Sequence, residues 1–484
     1  MNPTVTKRTF LAALGCGTAG WYAAQAEPGP PGPGLEWRFH SGAEIGRLAR
    51  KQLGRGTLLP FAPTETALQA TAKAMGNPDA TLLFEATFVA GPFVARADAL
   101  RRTDGGWDVI EVKSAMAPED GVASDEHLDD LAYTAFVARA SGVAVGRCTL
   151  MFLGRDCRLG AERLTELDVT ETVVQRVAGF ADRSARIATA CTALDRPAPA
   201  LQFVCKKCEF FASDCVGKGI TDPLFILPRL SEKRFEAMKE YQRLSAVPAG
   251  ANLTGPQHRV FNAVRSGAPL IDQAELAQLN QLVWPVYYLD FEAVAPALPW
   301  FDECAPYEIM PFQFSIHVCD RVGHEIAHHE YLAPIGGDWR HELAVALIER
   351  LGDRGSIVVY SGYEKQRLAA MATSLPEFAA ALHAIIARLV DFEPIVRNGY
   401  CHPAFLGRTS IKNVLPVVAP ELSYSGTGVG NGDDAAGLFA LMTVGRRDPE
   451  DQDFHRQQLL DYCKLDTLAM VKLHRALEAL TRAS

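Results

Sequence analysis

The sequence predicts an α/β chain of more than one domain, and three observations carry that expectation. Its 484 residues exceed what one ordinary hydrophobic core organises, so two or three domains are expected. Stretches with period-two alternation, such as Phe93–Lys113 and Pro311–Val318, are interleaved with helical-period stretches, such as 125–141 and 165–193. Apolar residues make up 48% and charged residues 22%, the balance of a globular protein. No apolar run approaches the ~20 residues that span a bilayer, so no membrane partner is expected. The net charge of −9 excludes a wholesale basic coat for nucleic acid while leaving local basic patches open. Eleven cysteines, an odd number and too few for a disulfide scaffold, point to reduced thiols or metal ligation and a cytoplasmic location.

Residues 5 to 25 have helical spacing, ending near Trp21 and Tyr22. Lys7-Arg8 and Ala24-Gln25-Ala26 have the outline of an export signal, but Gly15, Cys16, Gly17 and Gly20 break its apolar core. The run PGPPGPG at 28–34 reads as a surface loop, followed by a helix over 41–53 carrying Ile45, Leu48 and Ala49 on one face. A sheet region at 80–113 comes next, then a strand at 147–153 between the helical stretches 125–141 and 165–193. Residues 225–280 read as a helical connector.

Within the sheet region, two alternating runs flank Asp104-Gly105-Gly106, which predicts a β-hairpin. With Asp104-Gly105 as the turn, Thr103 faces Gly106 and Asp98 faces Glu111, with Lys113 on the same face as Glu111. Opposed carboxylates are unfavourable without a counter-ion, and Mg²⁺ or Mn²⁺ would supply one. A solvated hairpin face is the alternative reading. Asp98, the turn and Ile110-Glu111-Val112-Lys113 resemble the Asp…Glu-x-Lys core of the PD-(D/E)XK nucleases, particularly the RecB-like branch. That resemblance implies that Asp98, Glu111 and the Val112 carbonyl bind Mg²⁺ or Mn²⁺ and that Lys113 positions the hydrolytic water. Leu83-Phe84-Glu85-Ala86-Thr87-Phe88 resembles that branch's strand with a further acidic residue. His127 to Thr134 lies where many relatives have a Gln-x-x-x-Tyr helix. Thr134 stands where the branch has Gln, and Gly46 stands near where it often has a metal-binding His.

Phe203-Val-Cys205-Lys-Lys-Cys208 and Cys215 form a C-x₂-C-x₆-C claw that needs a fourth ligand. Cys148, Cys157 and Cys191 are candidates by proximity, and four cysteines suit zinc or an iron–sulfur cluster. Thr6 to Cys16 resembles the segment carrying the lone first cysteine of iron–sulfur RecB-like nucleases, including those of CRISPR adaptation. The resemblance covers about residues 1–220. It implies that Cys16, Cys205, Cys208 and Cys215 hold a [4Fe–4S] cluster, with zinc the alternative.

A second region opens at Val286-Tyr-Tyr-Leu-Asp290-Phe-Glu292, which puts both carboxylates on one strand face, with Pro311–Val318 as the antiparallel neighbour and 356–360 as a buried strand. Glu364 precedes a helix over 365–373, and Tyr462 and Asp466 share a helix face at i, i+4. In this order the motifs resemble the DEDDy exonucleases, whose fold is RNase-H-like, with Glu364 where Asp is usual. They also resemble an uncharacterised bacterial family with a Leu-Asp-Phe-Glu opening and a Tyr-Cys-x-x-Asp-Thr close. The resemblance implies that Asp290, Glu292 and Asp466 hold Mg²⁺ or Mn²⁺, with Glu364 as a further acidic residue and Tyr462 orienting water. Asp391 and Ser410-Ile-Lys412 are read as structural ahead of the alternative, further site or strand-contact residues, and His328 and His329 as surface or cap residues.

The whole reading is therefore a PD-(D/E)XK restriction-endonuclease-like domain over 1–224, a connector over 225–280 and an RNase-H-like domain over 281–484. The expected function is metal-dependent hydrolysis of nucleic acid, DNA above RNA, on single strands or ends. The rival is a nucleic-acid-binding scaffold whose sites have decayed.

Overall fold

The protein is described from a computed structural model covering residues 4–27, 29–423 and 428–482. It is a mixed α/β chain of two compact units. One comprises Met1–Pro31, Arg38–Lys218 and Pro296–Glu308, and the other Gly32–Trp37, Gly219–Ala295 and Ile309–Ser484.

The first unit is built on six strands: β1 (Thr57–Leu58), β2 (Leu82–Ala90), β3 (Phe93–Thr103), β4 (Gly106–Met116), β5 (Val145–Leu153) and β6 (Leu164–Asp168). They are ordered in space as in the chain. The β1–β2 and β4–β5 pairs are parallel and the others antiparallel. The β3–β4 register runs from Thr103↔Gly106 to Ala99↔Ile110, as the Asp104-Gly105 turn predicts. Gly106 must be glycine, because its φ is +143° and a Cβ there would lie 2.1 Å from the Ala144 carbonyl oxygen.

The helices of this region are α1 (Lys7–Gly15), α2 (Gly17–Gln25), α3 (Pro33–Leu53), α4 (Thr64–Gly76), α5 (Asp125–Ala140) and α6 (Thr170–Thr192). Phe10 of α1 is fully buried against Phe93, Tyr133, Phe136 and Phe180, so residues 5–25 belong to the core of this unit. Helix α3 starts within the PGPPGPG run rather than at residue 41, since proline at a first helical position lacks only an N–H the helix leaves unused. The expected helix over 165–193 splits. Leu164 pairs with Leu153 and fills the core, and the Asp168 carboxylate accepts the Thr170 N–H at 3.0 Å where the strand gives way to α6.

In the second unit the strands are Leu270–Ile271 (β7), Val286–Val294 (β8), Met310–Arg321 (β9), His324–Leu332 (β10), Ile357–Val359 (β11), Leu389–Asp391 (β12) and Tyr400–Cys401 (β13). The main sheet has the order β10-β9-β8-β11-β12. Strands β8, β11 and β12 run parallel, while β9 is antiparallel to both its neighbours. The small pair β7–β13 is antiparallel. Residues 225–280 contain short turns of helix and one longer helix, Gly255–Ser266, closed by a capping box between Thr254 and Gln257. The 31-residue helix Gln452–Arg482 sets Met470, Leu473 and Leu477 into a core shared with Val286, Tyr288, Phe392, Leu276 and Leu279.

Candidate functional site

Three side-chain clusters stand out. In the first, the β3–β4 ladder stops one pair short of Asp98, and the Asp98 carboxylate accepts the Val112 N–H at 2.7 Å instead. The β2–β3 ladder also skips here, between Phe84↔Ala99 and Ala86↔Ala97, and the skipped Glu85 has φ +63°. A non-glycine residue held there costs on the order of 1–3 kcal/mol, strain of the kind that gathers at functional sites. Glu85, Asp98, Val112, Gly46, Arg47 and Arg50 line one cavity of 330 Å³.

Glu111 is 4% exposed and its Oε1 accepts from Lys7 Nζ at 2.6 Å and Lys113 Nζ at 3.2 Å. Lys113 also binds Asp130. Burial works to lower the Lys113 ammonium, but Glu111 and Asp130 outweigh it and hold the group above the ordinary lysine value. Burial and the Glu111 charge push Asp98 up to about 7, against the pull of the Val112 N–H and Lys7. Thr134 donates to Glu111 Oε2 at 3.4 Å. Asp98, Glu111, Val112 and Lys113 thus lie together as the hairpin register implies, with Asp98 on the Val112 N–H and Lys113 on Glu111. Lys7 was missed because it reaches the centre from 104 residues away in the chain.

The second cluster is more compact. Asp290 and Glu292 project from β8 and Asp466 from the helix Gln452–Arg482, and their ligand oxygens lie within 4.8 Å of one another. Burial first, then mutual repulsion with Asp466 and Glu292, raises Asp290 well above the usual carboxylate range. Burial and Asp466 push Glu292 up to about 8, with Lys412 working against them. Glu364 stands outside the three-residue group, at the first turn of the helix Tyr363–Ser374, and its longer side chain is buried. Its Oε2 has no hydrogen-bond partner among the described residues, and burial with Asp391 and Asp466 holds it at about 7. Buried carboxylates gathered without enough cationic charge form a cradle that suits a divalent cation. The Cys463 thiol is buried against Asp290 at 3.6 Å.

Tyr462 is buried one turn before Asp466 and its hydroxyl accepts from Lys412 Nζ at 2.6 Å. Lys412 therefore neighbours Tyr462, in keeping with the alternative rather than the first reading of this residue. Gly432, at the start of the helix Gly432–Thr443, approaches so closely that an added Cβ would lie 3.3 Å from Glu292 Oε2. The available signal was the glycine-rich run 428–432. Asp391 does have a structural role, capping the helix Phe392–Gly399 through the Glu393 N–H at 2.9 Å. His328 is half-buried and hydrogen-bonded: Ser315 bonds His328 at 3.0 Å and Thr467 at 2.8 Å, and Thr467 in turn bonds His317 at 2.8 Å. Through Thr467, the residue after Asp466, this network from β9 and β10 reaches the helix Gln452–Arg482.

In the third cluster, Cys16, Cys205, Cys208 and Cys215 line one cavity of 410 Å³. No three of these sulfurs lie mutually within 4.8 Å. The Gln202 N–H points at Cys205 Sγ at 3.4 Å, and the claw is braced by Tyr22 stacked on Phe210 and by the Arg8–Glu209 ion pair at 3.1 Å. Cys148, Cys157 and Cys191 are buried elsewhere in the unit's core.

Residues 287–410 match the family described as a domain of unknown function, DUF2779. No curated protein matches the chain. Among the described residues no single helix is long and apolar enough to cross a membrane.

Proposed function

We propose that the protein is a metal-dependent nuclease with two acidic centres, acting on single strands or ends of nucleic acid, DNA above RNA. The observation that carries this reading is the buried Asp290, Glu292 and Asp466 triad, whose ligand oxygens lie within 4.8 Å of one another. The strand order β10-β9-β8-β11-β12, with β9 antiparallel to its neighbours, supports an RNase-H-like second unit. The Asp98, Glu111 and Lys113 hairpin supports a PD-(D/E)XK-like first unit.

Asp290, Glu292 and Asp466 would hold Mg²⁺ or Mn²⁺, as would Asp98, Glu111 and the Val112 carbonyl. Such cations lower the pKa of an attacking water and steady the charge of a scissile phosphate. The chain's own residues supply orientation. Lysine carries no acceptor, so the Tyr462 hydroxyl must accept from Lys412, which turns its proton away from that ammonium. The directed hydroxyl can orient water or a phosphate oxygen. Lys113 stays protonated beside Glu111 and Asp130 and donates to a water or phosphate at the first centre.

Cys16, Cys205, Cys208 and Cys215 would hold the [4Fe–4S] cluster. A tetrahedral zinc with Zn–S bonds of about 2.3 Å needs sulfurs roughly 3.8 Å apart. The wider spacing and the 410 Å³ cavity favour the bulkier group.

A second reading, a first centre that binds nucleic acid without cutting it, draws on one observation. Lys7 and Lys113 together already neutralise Glu111. The test is incubation of purified protein with end-labelled single- and double-stranded DNA and RNA, with Mn²⁺ or Mg²⁺ against EDTA. Metal-dependent cleavage that is reduced in Asp290→Ala and abolished when Lys113→Ala is added supports the reading. No cleavage of any substrate under metal titration overturns it.

A further inference from the structure

Beside the first acidic centre an aromatic ring stands in solvent on a stretch of chain that is firmly held. Phe61 is 89% exposed, although Leu59, two residues before it, is buried and donates its N–H to the Phe84 carbonyl at 3.0 Å. Leu58 pairs with Phe84 in the β1–β2 ladder, so this stretch is pinned one residue from Glu85, which lines the first cavity. Pro60 and Pro63 flank the ring in the chain and fix two backbone angles beside it. The Arg96 guanidinium lies 4.5 Å from the ring centroid, and Arg96 Nη1 is 3.9 Å from Glu85 Oε2. Arg96 and Asp98 stand two residues apart on β3 and so share a sheet face, roughly 7 Å apart along the strand. One line of contacts therefore runs from the exposed ring through Arg96 to Glu85, in the cavity wall that also holds Asp98.

The cavity is acidic on its sheet side and basic on its helix side. Glu85 and Asp98 come from β2 and β3, whereas Arg47 and Arg50 come from α3. Glycine keeps the helix side open. Gly42 and Gly46 line the cavity, and an added Cβ would meet nothing within 4 Å at Gly42 and only Arg50 Nη1, at 3.6 Å, at Gly46. Arginine's planar fork matches phosphate oxygens, and an exposed aromatic face stacks on a base of any identity. A single exposed phenylalanine needs no explanation of its own. One that is backed by a guanidinium, beside a cavity carrying two further arginines, has the aromatic and cationic pairing that tracks a single strand. A duplex keeps its base faces stacked inside, and an acidic peptide would suit the arginines without using the ring.

We propose that Phe61, backed by Arg96, is a base-stacking site of the first unit, with Arg47 and Arg50 taking the phosphate of the same single strand. The inference rests on the reading that this unit binds nucleic acid, whether or not it cuts it. The strand then crosses the cavity with its backbone toward α3 and one base against Phe61.

The test is photocrosslinking on the full chain, with Ca²⁺ in place of Mg²⁺ or Mn²⁺ so that the strand stays whole. A short oligothymidylate carries iodouracil at one position at a time, and adducts formed on irradiation are mapped by mass spectrometry. An adduct at Phe61 is expected. It should vanish in Phe61→Leu with the melting temperature unchanged, because the residue is exposed. Arg47→Gln combined with Arg50→Gln should lower the yield at Phe61 about tenfold at a strand concentration below saturation. Adducts formed elsewhere in the chain and none at Phe61 overturn the inference and leave the nuclease reading standing. A Phe61 adduct whose yield the arginine variant leaves unchanged overturns the phosphate assignment in the same way. Fluorescence anisotropy that shows no single strand bound by the wild type, even if polyglutamate binds, overturns the inference and that reading together.

Discussion

At the scale of single residues, the pH dependence of stability follows from which groups burial has shifted. Glu292 is held at about 8, and Asp98 and Glu364 at about 7, all above their ordinary values of 4.5, 3.8 and 4.5. Without metal, the folded protein keeps protons there that the unfolded chain has released, so this contribution is full at low pH and lost as pH rises through 7 to 8. Burial of His317, held at about 3, and His328, at about 4, acts with the opposite sign. The unfolded chain takes up those protons below about 6.5, so the histidines lower stability only in acid and contribute fully above that pH. The window from about pH 7.5 to 8, above the titration of unfolded histidines and below that of unfolded thiols, is therefore where the carboxylates set the slope. In it the metal-free melting temperature should fall with pH, and Mn²⁺ should remove the fall because a bound cation favours the ionised forms. Glu292→Gln should raise the metal-free melting temperature at pH 8. A midpoint that rises across this window without metal would contradict the assignment. Asp98, Glu111 and Lys113 were legible because a two-residue turn fixes which hairpin residues face each other. Lys412 was not, because its meeting with Tyr462 across 50 residues is set by the path of the chain, which no local pattern encodes.

Single elements carry the sites, and their failures should be separable. Truncating Phe10, the fully buried anchor of α1, should cost about 3–5 kcal/mol of the first unit's stability in urea unfolding. A cost below 1 kcal/mol would mean that α1 is not held by its core contacts. In the helix Gln452–Arg482, Thr467→Val removes the hydroxyl that bonds both Ser315 and His317 and should cost about 1–3 kcal/mol. Because Thr467 adjoins Asp466, the same variant should weaken Mn²⁺ binding at the second centre, measured by calorimetry. Unchanged binding would make the network purely structural. The long helix was legible from the i, i+4 pairing of Tyr462 and Asp466. Strand β6 was not, since a short edge strand such as Leu164–Asp168 is decided by the neighbour it pairs with.

For the whole molecule, the compact units set which fragments fold. Leu276 and Leu279 share a core with Val286 and Tyr288, and β7 pairs with β13. A fragment of residues 219–484 should therefore melt at higher temperature than one of residues 281–484, and identical melting of the two would contradict that core. The two acidic centres separate at the same scale, because each is built from residues of one unit. The most direct test of the account is metal-dependent cleavage of one end-labelled single strand by four forms of the full chain: wild type, Lys113→Ala, Asp290→Ala and the double variant. The account predicts cleavage by the wild type with Mn²⁺ but not with EDTA, a distinct loss in each single variant and none left in the double variant. Wild-type cleavage that survives EDTA, or equal cleavage by wild type and double variant, would contradict it.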